Sequence, residues 1–397
     1  MTDYATPRTS PVKVGGFGTR SGVGRRLMER DSPIRRIDWV LQGAVLGLCV
    51  IGCLLVWSAT KHHSIDPNAF LKKDVLNVGL GMSLCALAMR IDYRTVRAYA
   101  PLVFGASVLG LLVVLSPLGS TINGAHSWII LPAGFQIQPS EFAKVALIVG
   151  AGMILGEKRD DSAQPTDRDV ILLLGLAAIP MILIMGQPDF GTMMVFVFTI
   201  LGVLTVSGAP KRWTLGLIAA GVAFGFAILH FHLLKAYQEA RLTSFVNPSA
   251  HLANNGYNTN QARIAIGSGG FSGAGLFHGA QTSGQFVPEQ QTDFVFTVAG
   301  EELGFVGAGL IIVLLGVVLW RALRIANAAA DAFGTLVCAG VVSWFAFQSF
   351  INIGMTMGIM PVTGLPLPFV SYGGSAMFAN LIAIGLIQNV HLRTRRA

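Results

Sequence analysis

An aspartate and two glutamates lie at the entrance of an otherwise apolar stretch, QTDFVFTVAGEELGFVGAGL (291–310). A charged carboxylate at mid-bilayer costs about 2.5–3.5 kcal/mol on insertion scales, so such residues need a function or a polar partner. Asp293 ends a long loop, where it could act as a general base or cap the following helix. Glu301 and Glu302 are adjacent and point in different directions, so at least one needs a polar partner; we interpret both chiefly as structural or coupling residues.

A second charged pair lies in the segment INGAHSWIILPAGFQIQPSEFAKVALI. Glu141 and Lys144 are three residues apart, so they share a helix face and can pair near a membrane boundary. Two interpretations stay open: a satisfied structural bridge, or a lysine that meets an anionic group in a water-filled or lipid-open cleft. Trp128, in the preceding loop, is by default an interfacial anchor, with substrate contact as the alternative.

Further polar candidates lie where apolar runs end or begin. Asp189, in the turn QPDFGT (187–192), either caps the next helix or belongs to a site. Ser371 and Ser375 lie where the last helix is expected to start, after a proline-rich turn, and such helix starts present N–H groups to anions. Arg263 and Arg241 lie in the long loop, and each either meets an anionic substrate or is a rim charge.

The elements that position these residues are membrane helices. The 397 residues are 53% hydrophobic and 12% charged, too apolar for a soluble domain of this size. Apolar runs predict an all-α, polytopic membrane protein with about ten transmembrane helices and a large extracellular loop, residues 232–293, between the seventh and eighth. The predicted runs are 38–59, 74–89, 99–117, 140–156, 169–186, 191–207, 213–231, 294–319, 333–357 and 374–391.

The distribution of cations predicts the orientation. The loops and tails on one side carry 21 Lys and Arg, against 6 on the other, so both termini are expected in the cytoplasm. The predicted organisation is a basic, disordered tail (1–37), a transmembrane domain (38–392) and a cytoplasmic end (393–397). The basic tail has a topogenic role in this interpretation, with contact to anionic membrane lipid as the alternative.

Several function classes find no support in the pattern. The four cysteines lie inside apolar runs, so no disulfide framework or zinc site is indicated. The loop glycines match no nucleotide-binding motif, no hydrolase or metalloenzyme motif occurs, and the cations are not gathered into a nucleic-acid patch. No metal site and no nucleic-acid partner are therefore predicted.

The polar blocks together resemble the SEDS family, named for shape, elongation, division and sporulation, which includes RodA and FtsW. They occur in family order between about residues 38 and 392. Ser127 and Trp128 stand where division-type members usually have Arg-Trp, so the chain is more similar to the elongation type. The matching blocks are NGAHSWI, QPSEFAK, QPDFGT, YNTNQARIAIGSGG, PEQQTDF, AGEELG and INIGMTMGIMPVTGLPLPFVSYGGS.

The resemblance implies a peptidoglycan glycosyltransferase that polymerises lipid II on the outer face of the bacterial cytoplasmic membrane, for cell elongation and shape. It also implies a class B penicillin-binding protein, a transpeptidase, as partner. The family's essential acidic residue corresponds to Asp293. Its cavity residues correspond to Glu141, Lys144, Asp189, Ser371 and Ser375.

The chemistry requires a base for the acceptor hydroxyl and positive charge for the departing pyrophosphate. Asp293 is the predicted base, and Lys144, Arg241 and Arg263 are the predicted cations. No cofactor is certain; a divalent cation, Mg²⁺ or Mn²⁺, held by carboxylates such as Asp189, is a candidate supplement. The alternatives are an FtsW-like division paralogue, a lipid II flippase or transporter, and a scaffold that recruits a transpeptidase.

Overall fold

The structure is a computed structural model that describes residues 36–62, 66–122, 125–130, 136–157, 164–230 and 255–394. The chain divides into two units, Met1–Ile37 and Asp38–Ala397. Almost all of the predicted basic tail lies outside the described residues, as do residues 231–254 of the predicted large loop and the last three residues. The predictions about those segments stay predictions.

Helices dominate the described chain, and every predicted apolar run coincides with helical residues. The helices are α1 (Trp39–Thr60), α2 (Ala69–Arg90), α3 (Tyr93–Ala98), α4 (Ala100–Leu115), α5 (Pro139–Leu155), α6 (Asp167–Gly186), α7 (Phe190–Val206), α8 (Lys211–His230), α9 (Asn255–Ser268), α10 (Ala280–Ser283), α11 (Val295–Glu302), α12 (Gly304–Asn327), α13 (Ala332–Thr356) and α14 (Gly374–Thr394).

Short polar residues set where several helices begin. The Asp38 carboxylate accepts a hydrogen bond from Leu41 N at 3.0 Å, and the Asp331 carboxylate accepts one from Gly334 N at 2.8 Å. These bonds satisfy backbone donors that have no partner within the first turn. Apolar sequence therefore supplies the helices, and the N-cap aspartates Asp38 and Asp331 fix where α1 and α13 begin.

A small antiparallel sheet departs from the all-α prediction. Strands β1 (Ser120–Ile122), β2 (Ala125–Ile130) and β3 (Gln136–Ile137) pair in the order β1-β2-β3, with Ser120 opposite Trp128. The three strands contain four isoleucines, one threonine and one tryptophan, residue types that favour strands. The protein is thus mostly helical with a three-stranded sheet between α4 and α5.

The predicted single helix over 294–319 is wrong, because the structure divides it into α11 and α12. Gly304 has φ +65°, and a Cβ there would collide with the backbone of Gly273. The amide of Ala274 donates to Glu301 O at 3.0 Å, and that of Gly275 donates to Glu302 O at 2.9 Å. The loop before α11 therefore caps the C-terminal end of that helix. In a continuous helix, amides of the next turn would have bonded to these carbonyls instead.

Burial distinguishes central from peripheral helices. The most apolar windows of α13 and α14 are each 72% buried, whereas that of α12 is 22% buried. The helix α14 packs along α2, while α13 packs against α5, α7 and α12. Polar residues on α13 are therefore surrounded by protein.

Five described helices are long and apolar enough to cross a membrane: α1, α6, α12, α13 and α14. The helices α4 and α7 are apolar but shorter. Several apolar helices in one chain are the feature of a multi-pass membrane protein.

Candidate active site

Asp293 lies in a turn just before α11, with its side chain partly exposed. Its amide donates to Glu289 O at 3.1 Å. The N-cap position of α11 is occupied by Phe294, so Asp293 lies one residue before the cap. Gly364 approaches from the loop between α13 and α14: a Cβ there would lie 3.4 Å from Asp293 Oδ2, and its φ is +74°. The carboxylate is therefore positioned between two loops.

Two amide side chains on α13 position these loops. Asn352 Nδ2 donates to Asp293 O at 2.8 Å and to Leu365 O at 2.7 Å. One turn earlier, Gln348 Nε2 donates to Pro366 O at 2.7 Å. The central helix thus fixes both the turn that carries Asp293 and the loop that faces it.

Asn352 and Gln348 were not among the residues predicted from the sequence, because both lie within the apolar run 333–357. The signal that could have identified them is their spacing. Two amides four residues apart share one helix face, and buried amides need partners.

Lys144 connects to the same helix and is buried. Its ammonium donates to Glu141 Oε1 at 2.8 Å and to Gln348 Oε1 at 3.2 Å, and it lies 4.5 Å from the centre of the Trp344 ring. Lys144 and Glu141 are each 1% exposed. This geometry favours the structural bridge, in which the buried lysine is paired, although Glu141 Oε2 has no hydrogen-bond partner among the described residues. The bridge orients Gln348, which in turn holds the loop opposite Asp293.

Asp189 acts as a helix cap in the structure. Its carboxylate accepts from Thr192 N at 3.0 Å and from Thr192 Oγ1 at 2.8 Å, at the start of α7. Gln138 Nε2 also donates to it at 3.1 Å. The start of α7 packs closely on the loop before α14, since a Cβ on Gly191 would lie 2.8 Å from Thr363 O.

The two predicted serines are buried and make backbone hydrogen bonds. Ser371 Oγ accepts from Leu367 N at 2.8 Å. Ser375 Oγ accepts from Gln138 N at 3.0 Å and donates to Gln136 O at 3.0 Å. Ser375 therefore ties the start of α14 to the junction of β3 and α5, next to Asp189.

The remaining predicted residues lie further out. Arg263 is exposed on α9, and its aliphatic stem lies against Gly358, where a Cβ would be 3.1 Å from Arg263 Cδ. Trp128 is partly exposed in β2. Arg241 lies outside the described residues. Of the predicted cations that the structure describes, Arg263 has an accessible charge, and it lies beside Gly358 at the start of the loop between α13 and α14.

Glu301 and Glu302 serve as anchors for the loop before α11. Glu301 accepts from Gln281 N at 2.7 Å, from Thr282 N at 2.9 Å and from Thr282 Oγ1 at 2.7 Å. Glu302 Oε1 accepts from Ser58 Oγ on α1 at 2.6 Å. Both carboxylates have polar partners inside the bundle, which agrees with their structural interpretation.

Two residues with side chains adopt left-handed backbone beside the site. Glu289, four residues before Asp293, has φ +53°, and Phe369 has φ +66°. Such conformations cost about 1–3 kcal/mol each and persist where surrounding contacts impose them. Glu289 lies in the same turn as Asp293, and Phe369 lies three residues before Tyr372, whose amide is hydrogen-bonded to that turn.

The residues present do not form a divalent-cation site. Both oxygens of Asp189 already accept hydrogen bonds, and no group of three His, Cys, Asp or Glu side chains with metal-binding geometry occurs within the described chain. The arrangement supplies a partly exposed carboxylate, an accessible arginine and a buried ion pair behind them. This set can remove a proton and attract an anion.

A family model described as cell cycle protein, for the FtsW, RodA and SpoVE proteins, matches residues 39–396. The stage V sporulation protein E of Bacillus subtilis is 38% identical over 90% of this chain and 98% of its own length. The peptidoglycan glycosyltransferase MrdB of Escherichia coli is 33% identical over 91% of this chain and 97% of its own length.

A solved structure gives the same likeness in three dimensions. It belongs to a work on the structural coordination of polymerization and crosslinking by a peptidoglycan synthase complex. The TM-score is 0.77 with 30% sequence identity, covering 91% of this chain and 99% of the other. The likeness thus extends over nearly the whole of both chains.

Proposed function

This chain belongs to the FtsW/RodA/SpoVE family of cell cycle proteins, and from that premise we propose that it is a peptidoglycan glycosyltransferase whose catalytic base is Asp293. Its substrate is lipid II, which it polymerises into glycan strands on the outer face of the bacterial cytoplasmic membrane. The observation that carries the proposal is the partly exposed Asp293 carboxylate in a turn held by Asn352. A base must be fixed and must also remain reachable by substrate.

The reaction joins two lipid-linked saccharides. The acceptor 4-hydroxyl oxygen attacks the anomeric carbon of the donor, the bond to the diphosphate breaks, and the hydroxyl proton passes to Asp293. Attack opposite the leaving group inverts an α-linked donor into a β-linked strand. A positioned base contributes about 10²–10⁴-fold to such a step.

Positive charge for the departing diphosphate comes first from Arg263 in this proposal. Its guanidinium is exposed on α9 beside the loop that faces Asp293. Lys144 would reach a diphosphate only if its pair with Glu141 opened, so its first role is to orient Gln348. Arg241 remains a candidate from the sequence.

The membrane arrangement is also part of the proposal. We infer ten spans with both termini in the cytoplasm, which places Asp293 and Arg263 outside. A class B penicillin-binding protein is the proposed partner, since the similar solved structure comes from a synthase complex that couples polymerization to crosslinking. Ser127 occupies the position where division-type members of the family usually have arginine, and this difference supports a role in elongation.

The experiment that tests the base compares two carboxylates of one turn. Asp293→Asn keeps the shape and removes the proton acceptor, while Glu289→Gln makes the same chemical change four residues earlier on an exposed side chain. With purified, folded protein, its partner and lipid II, Asp293→Asn should lose polymer formation by about 10²-fold or more, and Glu289→Gln should keep it. Glycan synthesis by Asp293→Asn at the wild-type rate would refute the base assignment.

A further inference from the structure

A buried carboxyl group outside the site described above has no cationic partner among the described residues. Asp74, on α2, is 1% exposed, and its Oδ1 has no hydrogen-bond partner among the described residues. No lysine or arginine of the described chain forms an ion pair with it, and its side-chain partner is the Cys53 thiol of α1. A carboxyl inside a membrane protein without a cation is costly, which favours a functional reason for its presence.

One face of α2 packs on the segment that precedes α14. The rings of Phe70 and Tyr372 meet edge to face with centroids 5.2 Å apart. Two turns along the helix, Asn77 lies so close to Gly374 that a Cβ there would be 3.3 Å from Asn77 Oδ1. Asp74 lies between Phe70 and Asn77 on this face, since the three residues are spaced four and three apart.

The same segment packs against α1 on its other side. A Cβ on Gly52 would lie 2.6 Å from Val370 O, so backbone meets backbone there without a side chain between them. Cys53, the partner of Asp74, is the next residue of α1. The Asp74 carboxyl is therefore located where α1, α2 and residues 370–374 meet.

This segment is bonded directly to the turn that carries Asp293. Tyr372 N donates to Gln291 O at 2.9 Å, two residues before Asp293. Burial, and then the nearby Asp74 carboxyl, raise the pKa of the Tyr372 phenol above its usual value. Residues 370–374, which pack beside Asp74 on α2, are therefore bonded through Tyr372 N and Gln291 O to the turn that carries Asp293.

We propose that Asp74 is a positioning residue for glycan transfer: its carboxyl acts on Tyr372, fixes the segment 370–374, and thereby fixes the turn that carries Asp293. The inference rests on the proposed function, in which Asp293 is the base. It explains why a buried carboxyl without a cationic partner lies in α2 although it touches no predicted substrate group. Misplacing a reacting group by about 1 Å can cost about 10²-fold in rate, so a distant side chain can matter in this way.

The test is the isosteric change Asp74→Asn, assayed for lipid II polymerisation with the partner present and normalised to folded protein. We expect kcat to fall by about tenfold to a hundredfold, with KM for lipid II within about twofold, because binding groups are unchanged and only the base moves. The matched control is Cys85→Ala, another fully buried residue on α2. It should leave both constants unchanged. An unchanged kcat for Asp74→Asn would overturn the proposal.

The route through Tyr372 is tested by a double-mutant cycle. If Asp74 acts through the phenol, Tyr372→Phe alone should lower kcat by a similar factor, and the double variant should be no worse than the poorer single one. Losses that multiply, or a Tyr372→Phe variant with normal kcat, would contradict the route. The single Tyr372→Phe variant keeps the test decisive if Asp74→Asn does not fold.

Failure of this inference can be told apart from failure of the proposed function. If Asp293→Asn is inactive and Asp74→Asn is normal, the base assignment stands and the positioning role is wrong. If Asp293→Asn is active, the proposed base is wrong whatever Asp74 does.

Discussion

At the scale of single residues, side-chain amides rather than charges hold the candidate site together. Asn352 and Gln348 lie one turn apart on α13 and donate to three backbone carbonyls of the two loops that meet at Asp293. Both are fully buried. Neutral amides can be buried at a membrane-protein centre at lower cost than charges, provided that their partners are present.

Replacing Asn352 tests this arrangement. Asn352→Leu has similar volume but leaves the carbonyls of Asp293 and Leu365 without their donor, and a buried unsatisfied polar group costs about 1–3 kcal/mol. We expect a lower thermal midpoint and a larger fractional loss of polymerisation rate than of folded protein. Thermal unfolding in detergent and lipid II turnover measure the two effects. A normal rate would show that this amide does not position the base.

Lys144 gives a second prediction at this scale. Lys144→Met leaves Glu141 buried without its cation, and breaking a buried pair in this way costs about 3–5 kcal/mol. We expect marked destabilisation. The double variant Glu141→Gln, Lys144→Met removes both charges and should recover most of the stability.

Turnover by that double variant separates the two roles of Lys144. If the lysine acts by orienting Gln348, the stable double variant lacks that contact, and its polymerisation rate should stay low even at saturating lipid II. If the lysine meets the donor diphosphate, turnover should be low at low lipid II concentration and should recover as lipid II is raised. Polymerisation rates across a lipid II titration distinguish these results.

At the scale of elements, the break between α11 and α12 gives the site its loop. The carbonyls of Glu301 and Glu302 are taken by amides of the preceding loop, and their carboxylates bond to residues 281–282 and to Ser58. One helix end thus anchors the loop through both backbone and side chains. A continuous helix would leave these loop amides without acceptors.

Gly304 tests the break. Gly304→Ala places a Cβ against the Gly273 backbone at a φ of +65°, and we expect destabilisation of about 1–3 kcal/mol together with reduced turnover. The control is Gly309→Ala in the same helix, where nothing lies within 4 Å of the added Cβ. It should be neutral or stabilising by about 0.5–1 kcal/mol. Equal behaviour of the two variants in thermal unfolding would contradict the role of the break.

At the scale of the whole molecule, the membrane orientation decides whether Asp293 can meet its substrate. Arg263 is exposed on α9 near the Asp293 side of the bundle, and Lys211 is exposed at the start of α8. The count of cations predicts that Arg263 lies outside and Lys211 inside. All four native cysteines lie in helices and are buried or half-buried, so a new surface cysteine would stand out.

Cysteine labelling in intact cells checks this orientation. A membrane-impermeant maleimide should label Arg263→Cys in intact cells and Lys211→Cys only after the membrane is opened. The physical reason is that a charged reagent does not cross the bilayer core. The opposite pattern would place Asp293 on the cytoplasmic side and exclude a reaction on the outer face.

The sequence by itself determined the apolar helices, the family and most of the polar residues that surround the candidate site. Helical runs follow from composition and period, and the aspartates at their ends follow from the need to satisfy the first backbone donors. The motifs also located Asp293, Glu141, Lys144, Asp189, Ser371 and Ser375, because charged or polar residues stand out in an apolar chain. These features depend on the local sequence alone, so they can be identified without knowledge of the fold.

Only the tertiary structure decided what each of these residues touches. It assigned Lys144 and Glu141 to a buried bridge, made Asp189 a cap for α7, divided the helix over 294–319, and brought Asn352 and Gln348 to the loops around Asp293. Buried amides in an apolar run have no distinctive local pattern, and their partners are often many residues away. Asn352 meets Asp293 across 59 positions of chain because packing of α13 against the loops, and not any local preference, brings them together.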